Sequence, residues 1–114
     1  MKLYGVGKSR SFRTIWAAEE AGLNYEYIEV AFGGTEENGS NSEAYRQLNC
    51  QGKVPTMFDD GLVLTESAAI VNYIASKNSA LNLIPKEGSI DRALYDQIVF
   101  FVLTDLEQPL WTSG

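Results

Sequence analysis

The 114-residue sequence contains no histidine and one cysteine, and its nine Lys and Arg are outnumbered by fifteen Asp and Glu. Without histidine the chain can form no Ser-His-Asp triad, no Cys-His pair and no imidazole metal site. One cysteine excludes an internal disulfide, a CxxC redox pair and a Cys-rich zinc cluster, so no metal is expected and nothing points to an oxidising compartment. The cytoplasm is the expected location. A formal charge of −6 and a pI near 4.5 argue against a binder of phosphate backbones, which would need a basic face. Nucleic acid is therefore not an expected partner. Long hydrophobic runs are missing too. The longest, Ile98 to Leu103, falls far short of the ~18 apolar residues of a membrane span. The opening Met1 to Lys8 is interrupted by glycine and lysine before an apolar signal region develops, so neither membrane insertion nor export is expected.

What is present has globular proportions: 45% apolar and 21% charged residues, at a length able to bury a real core. Lys2 to Tyr4 reads as a short strand running into the loop Gly5-Val6-Gly7-Lys8-Ser9-Arg10. From Ser11 to Ala21 the apolar residues Phe12, Ile15, Trp16 and Ala18 recur at helical steps, and Gly22 stands at the position of a C-terminal cap. Tyr25 to Val30 reads as a second strand, so strand, helix and strand imply a right-handed parallel crossover. Ala31 to Asn49 is polar and carries at most a short helix around Ser42 to Gln47. Val54 to Phe58 and Leu62 to Thr65 flank Asp59-Asp60-Gly61, a hairpin signal. Thr65 is placed to cap a helix that starts at Glu66 and Ser67, buries Ile70, Tyr73 and Ile74, and ends near Lys77. Ser89 is placed to cap a further helix, running to about Gln108 and apolar nearly all round. Such a helix needs neighbours on several sides, so either it sits in the interface of a homodimer or larger self-associated species, or further helices are missing.

Gly7-Lys8-Ser9 between strand and helix invites comparison with a phosphate-binding loop, but the first glycine of that pattern would fall on Lys2. The dinucleotide fingerprint fails at Arg10, where its third glycine belongs. What remains is the hydroxyl of Ser9 just ahead of a helix N-terminus. It can be read as a cap, although Ser11 suits that role better, or as a donor to an anion such as a thiolate. A hydroxyl bond plus a helix end can bring a thiol of pKa about 8.5 into the neutral range, each pKa unit corresponding to about 1.4 kcal/mol.

Leu3-Tyr4, Ser9, Arg13, Glu20, Gly22-Leu23 and Tyr25-Glu26 resemble the opening of cytosolic glutathione transferases of the serine type, such as the theta and phi classes. Asn49, Gly52-Lys53-Val54-Pro55 and Leu64-Thr65-Glu66-Ser67-Ala68-Ala69-Ile70 with Tyr73-Ile74 resemble the two glutathione-binding segments of that family. The resemblance spans residues 2 to about 78, and residues 89 to 111 resemble the first helix of the family's all-helical second domain. It implies an α/β, thioredoxin-like fold (βαβ-α-ββα) over residues 1–78, a linker over 79–88, and the start of an all-α domain over 89–114.

The resemblance further implies glutathione as co-substrate and a small electrophile as its partner, with Ser9 as the catalytic residue stabilising the thiolate. Val54 would precede a cis Pro55 and pair with the cysteinyl backbone of the tripeptide. Glu66 and Ser67 would hold the γ-glutamyl group, and Lys53 would face a carboxylate. Lys8, Arg10, Arg13 and Lys53 are four of the nine basic residues, and all lie near that site. Ser40 and Asn41 stand where related enzymes often carry basic residues for the glycine carboxylate. Cys50 reads as an incidental thiol. The rival function is a non-catalytic, glutathione-transferase-like binding or association module, because most of the second domain is missing. A glutaredoxin-type oxidoreductase would need a cysteine where Ser9 or Arg10 stands.

Overall fold

Strand β1 (Lys2–Gly5) lies at the centre of a four-stranded sheet in the order β2-β1-β3-β4. The structure is a computed structural model and describes residues 1–7 and 9–113, with side chains through 110. Lys8, counted above among the basic residues near Ser9, lies outside the described residues. Helix α1 (Ser11–Glu20) carries the chain from β1 to β2 (Glu26–Glu29), which pairs parallel to β1 with Leu3 opposite Tyr27. Gly22 (φ 66°) ends α1. Its N–H donates to the Glu19 carbonyl and that of Leu23 to Ala18, the paired closure that a left-handed glycine permits.

A short helix α2 (Glu43–Leu48) follows, with the Ser42 hydroxyl accepting from the Tyr45 N–H. Strands β3 (Thr56–Asp59) and β4 (Leu62–Thr65) form the expected hairpin; Asp60 and Gly61 both take positive φ (49° and 84°), as the tight turn between two twisted strands requires. Helix α3 (Ser67–Lys77) follows β4 directly.

Side chains alternate across the sheet. Leu3 and Met57, opposite each other in β1 and β3, face the core made with Ala18 and Ala21 of the α1 end and Ile70 and Ile74 of α3. The alanines let α1 and α3 approach closely, and full burial of each isoleucine contributes about 2–3 kcal/mol. The next pair in register, Tyr4 and Thr56, turns to the other face, where Tyr45 of α2 meets the Tyr4 ring edge-on at 6.1 Å. The sheet is thus covered by α1 and α3 on one side and by α2 on the other, the thioredoxin-like arrangement.

Phe12 and Trp16 do not join the core. Ser11, Thr14 and Ala18 form the buried stripe of α1, and the two aromatics stack edge-on at 5.9 Å on its exposed side. Thr65 is not a cap. It pairs with Thr56 in the hairpin, and the chain turns at Glu66, so the helix begins at Ser67.

The chain divides into two units, Met1–Leu81 and Asn82–Gly114; the first closes with a single 3₁₀ turn at Ser79–Leu81. In the second, the Ser89 hydroxyl accepts from the Arg92 N–H at 3.1 Å and starts α4 (Ile90–Phe101). The helix does not stop near Gln108. It widens to π geometry over Val102–Glu107 and continues as α5 (Gln108–Ser113). Pro109 has no N–H for the carbonyl four residues back and its ring crowds that carbonyl, so the turn ahead of it changes hydrogen-bond register. Ile90, Leu94, Ile98 and Phe101 are exposed along α4. Among the described residues no helix is long and apolar enough to cross a membrane.

Candidate functional site

The strand registers bring the segments singled out in the sequence to one end of the sheet. Tyr4, Thr56 and Thr65 lie in a row across β1, β3 and β4. Just beyond that row the chain leaves β1 toward Ser9, enters β3 from Lys53-Val54-Pro55, and leaves β4 into Glu66 and Ser67. All six candidate residues therefore emerge from the same edge.

Ser9 is half-buried in the β1–α1 loop. Its hydroxyl is 2.6 Å from the Val6 carbonyl and 2.8 Å from Ser11 Oγ, and it accepts from the Ser11 N–H at 3.1 Å. Ser11 does not take the capping role expected of it, since α1 begins after Arg10 with no side-chain cap at that position. Ser11 is instead buried as the first residue of α1, where its hydroxyl accepts from the Val6 N–H at 3.2 Å. This packing needs Gly5, because a Cβ there would lie 2.4 Å from Ser11 Cβ.

The Val54–Pro55 peptide bond is cis. Val54 lies ahead of β3, and among the described residues its N–H and carbonyl have no hydrogen-bond partner. Lys53 is exposed while its backbone carbonyl is anchored: it accepts from Tyr45 Oη and, at 3.0 Å, from Asn49 Nδ2. Tyr45 Oη and Asn49 Nδ2 also reach Thr56 Oγ1, at 2.8 and 3.1 Å. Burial pushes the Tyr45 phenol above its ordinary pKa, so it stays a neutral donor. Arg46 holds the exposed side of the loop, donating to the Cys50 carbonyl and to Asn41 Oδ1, both at 2.6 Å.

Glu66 has φ 74° and ψ 114°, a conformation rarely taken by a residue with a side chain. No side chain caps the N-terminus of α3 that it leads into, and Ser67 is nearly buried at the first helical position. The first N–H groups of α3 are thus left to meet an anion, with the helix dipole behind them. Ser40 and Asn41 are committed elsewhere: the buried Ser40 hydroxyl accepts from the Gly33 N–H at 2.6 Å, and Asn41 Nδ2 donates to the Gly33 carbonyl at 3.2 Å.

Tyr45 and Thr56 were not among the residues expected to matter, and Asn49 was quoted only for resemblance. Their trace in the sequence is the spacing of Tyr45 and Asn49 by four, on one side of a helix, just ahead of Gly52-Lys53-Val54-Pro55.

Residues 1–76 match the family profile described as "Glutathione S-transferase, N-terminal domain". The chain belongs to the glutathione S-transferase family. It is 40% identical over 94 residues to glutathione S-transferase 1 of Zea mays, covering 82% of this chain and 42% of that one. Among solved structures it resembles a sphingomonad glutathione S-transferase complexed with glutathione, with TM-score 0.83 and 32% identity, covering 95% of this chain and 53% of that chain. It also resembles a theta-class glutathione S-transferase from Xanthomonas axonopodis pv. citri with glutathione bound, with TM-score 0.75 and 38% identity, covering 90% of this chain and 48% of that chain. The chain thus spans about half the length of the relatives it matches. The family carries glutathione binding and conjugation as its general activity, and the second unit lies beyond the profile match.

Proposed function

We propose that this chain binds glutathione at the sheet edge just described and activates its thiol for attack on a small electrophile. The carrying observation is the junction of β4 and α3. A strained Glu66 delivers the chain into a helix whose first N–H groups have no side-chain cap, as a site for the γ-glutamyl carboxylate needs. The Ser67 hydroxyl adds a donor to that carboxylate, and Glu66 faces the amino group. Val54 offers a backbone N–H and carbonyl to the cysteinyl residue in the manner of an added strand. Lys53, exposed and on the same loop, meets a carboxylate of the tripeptide.

Ser9 supplies the chemistry. Its proton turns from the Val6 carbonyl to the cysteinyl sulfur, and the hydrogen bond lowers the thiol pKa, so that more of the thiol is present as nucleophile at neutral pH. The thiol proton passes to solvent and the thiolate attacks an electrophilic carbon; a carbon–sulfur bond forms as the bond to the leaving group breaks and that group departs with the electron pair, giving a thioether. Cytoplasmic location and self-association through the exposed apolar residues of α4 belong to the same reading, as does the division into a glutathione-binding domain (1–78), a linker (79–88) and the start of a helical domain (89–114).

A second reading has its own observation. The exposure of Ile90, Leu94, Ile98 and Phe101 favours a module that associates and binds without turnover. Retention on immobilised glutathione followed by a turnover assay with a generic electrophile separates the two. Binding with turnover supports the transferase, binding alone supports the module, and no binding removes the transferase and leaves only association.

A further inference from the structure

Tyr45, Asn49, Thr56 and the Lys53 carbonyl close a ring of hydrogen bonds whose directions can be assigned from proton counts. A carbonyl can only accept, so Tyr45 donates its single proton to Lys53 O. The contact between Tyr45 Oη and Thr56 Oγ1 at 2.8 Å must then be donated by Thr56. Asn49 Nδ2 uses one hydrogen on Thr56 Oγ1 and the other on Lys53 O, and Asn49 Oδ1 accepts from the Gln51 N–H at 3.1 Å. Every hydroxyl donates once and accepts once, and both lone pairs of the Lys53 carbonyl are filled. All three side chains are buried. A buried network with every member satisfied holds one geometry, because any rotation leaves a polar group unpaired at a cost of about 1–3 kcal/mol.

Lys53 O belongs to the same planar unit as the Val54 N–H. The Lys53–Val54 bond is trans, the cis bond being the one that follows it, so its C=O and N–H point in opposite directions. Drawing the carbonyl into the ring therefore turns the Val54 N–H outward, away from the sheet interior. We propose that the Tyr45 hydroxyl is a positioning residue for peptide capture: through the Lys53 carbonyl it fixes the direction of the Val54 N–H that receives the cysteinyl carbonyl of glutathione. Tyr45 touches no substrate and takes no part in the chemistry. This inference rests on the glutathione reading of the site.

The test is calorimetric titration of the whole chain with glutathione, alongside amide NMR. Tyr45→Phe removes one donor from Lys53 O and fills the same space. Affinity is expected to fall about tenfold. The glutathione-induced shift of the Val54 amide shrinks, whereas that of the Ser67 amide, on a different segment, persists at saturation. Thr56→Ser keeps the ring and retains wild-type affinity; Thr56→Val breaks it and weakens binding, and carries the test if Tyr45→Phe does not fold. A merely structural tyrosine would lower the melting temperature and reduce both amide shifts together. Wild-type affinity in Tyr45→Phe, or in Thr56→Val where that variant carries the test, overturns the inference while the glutathione reading stands. Failure of the wild-type chain to bind glutathione overturns both.

Discussion

The tightest contact that links the fold to the site is between Gly5 and Ser11, and filling it tests both. A Cβ added at Gly5 would stand 2.4 Å from Ser11 Cβ and 2.5 Å from Ser11 Oγ, roughly an ångström closer than atoms in ordinary contact. Neither side can yield cheaply. Gly5 is in the central strand, and Ser11 is buried at the start of α1 with its hydroxyl bonded to Val6 and Ser9. Gly5→Ala should therefore push α1 off the sheet at a cost of about 1–3 kcal/mol. The entropy gained by removing a glycine offsets about 0.4–1 kcal/mol of that. From the middle of each range the net loss is about 1.3 kcal/mol, which corresponds to roughly 5–10 °C in a domain of this size. Thermal melts followed by far-ultraviolet circular dichroism measure it. Pairing the change with second substitutions sharpens the test. Ser11→Ala leaves the offending Cβ in place and should not rescue Gly5→Ala, whereas Ser11→Gly removes it and should recover much of the loss as a non-additive term. A Gly5→Ala chain that melts at or above the wild-type temperature would refute the reasoning.

Glu66→Gly should raise the melting temperature and weaken glutathione binding, because glycine relieves a strain of about 1–3 kcal/mol while removing the carboxylate; a titration with unchanged affinity would take Glu66 out of the site. Ser9→Ala should abolish the ultraviolet signal of bound thiolate and leave glutathione affinity largely intact, and persistence of that signal would reduce Ser9 to a structural residue of its loop. Asp59 accepts from Lys77 and, at 2.7 Å, from Tyr73, which hold its carboxyl below the usual range. Its contribution is therefore complete above the unfolded pKa of about 3.9 and fades as pH falls toward the lower folded value. Melting temperatures across the acid range should fall more steeply for the wild type than for Asp59→Asn, and parallel curves would contradict the linkage.

Which parts of this were legible in the sequence follows from the range of the forces involved. The hairpin and α1 are set by local chemistry: Asp60-Gly61 supplies two positive φ angles, and Gly22 closes the helix with two bonds to residues within one turn. Helical spacing alone could not say which side of α1 is buried. Phe12 and Trp16 match the period as well as Ser11, Thr14 and Ala18 do, and only the close approach of Gly5 and α3 selects the small residues for the inner face. The expected helix start at Glu66, with Thr65 as its cap, is displaced to Ser67 for a related reason. Because Thr65 is committed to the Thr56 pairing, no loop is left to redirect the chain, and the whole turn falls on one backbone. The site shows the same division. Ser9, Lys53, Val54, Pro55, Glu66 and Ser67 stand in recognisable strings, whereas the ring that aims Val54 is drawn from a helix, a loop and a strand. Its members are ordinary polar residues whose value lies in mutual satisfaction, and that exists only after β3 has brought Thr56 beneath Tyr45. Residues that would touch the ligand can thus be read as short motifs. Those that orient them become visible only through the register of the sheet.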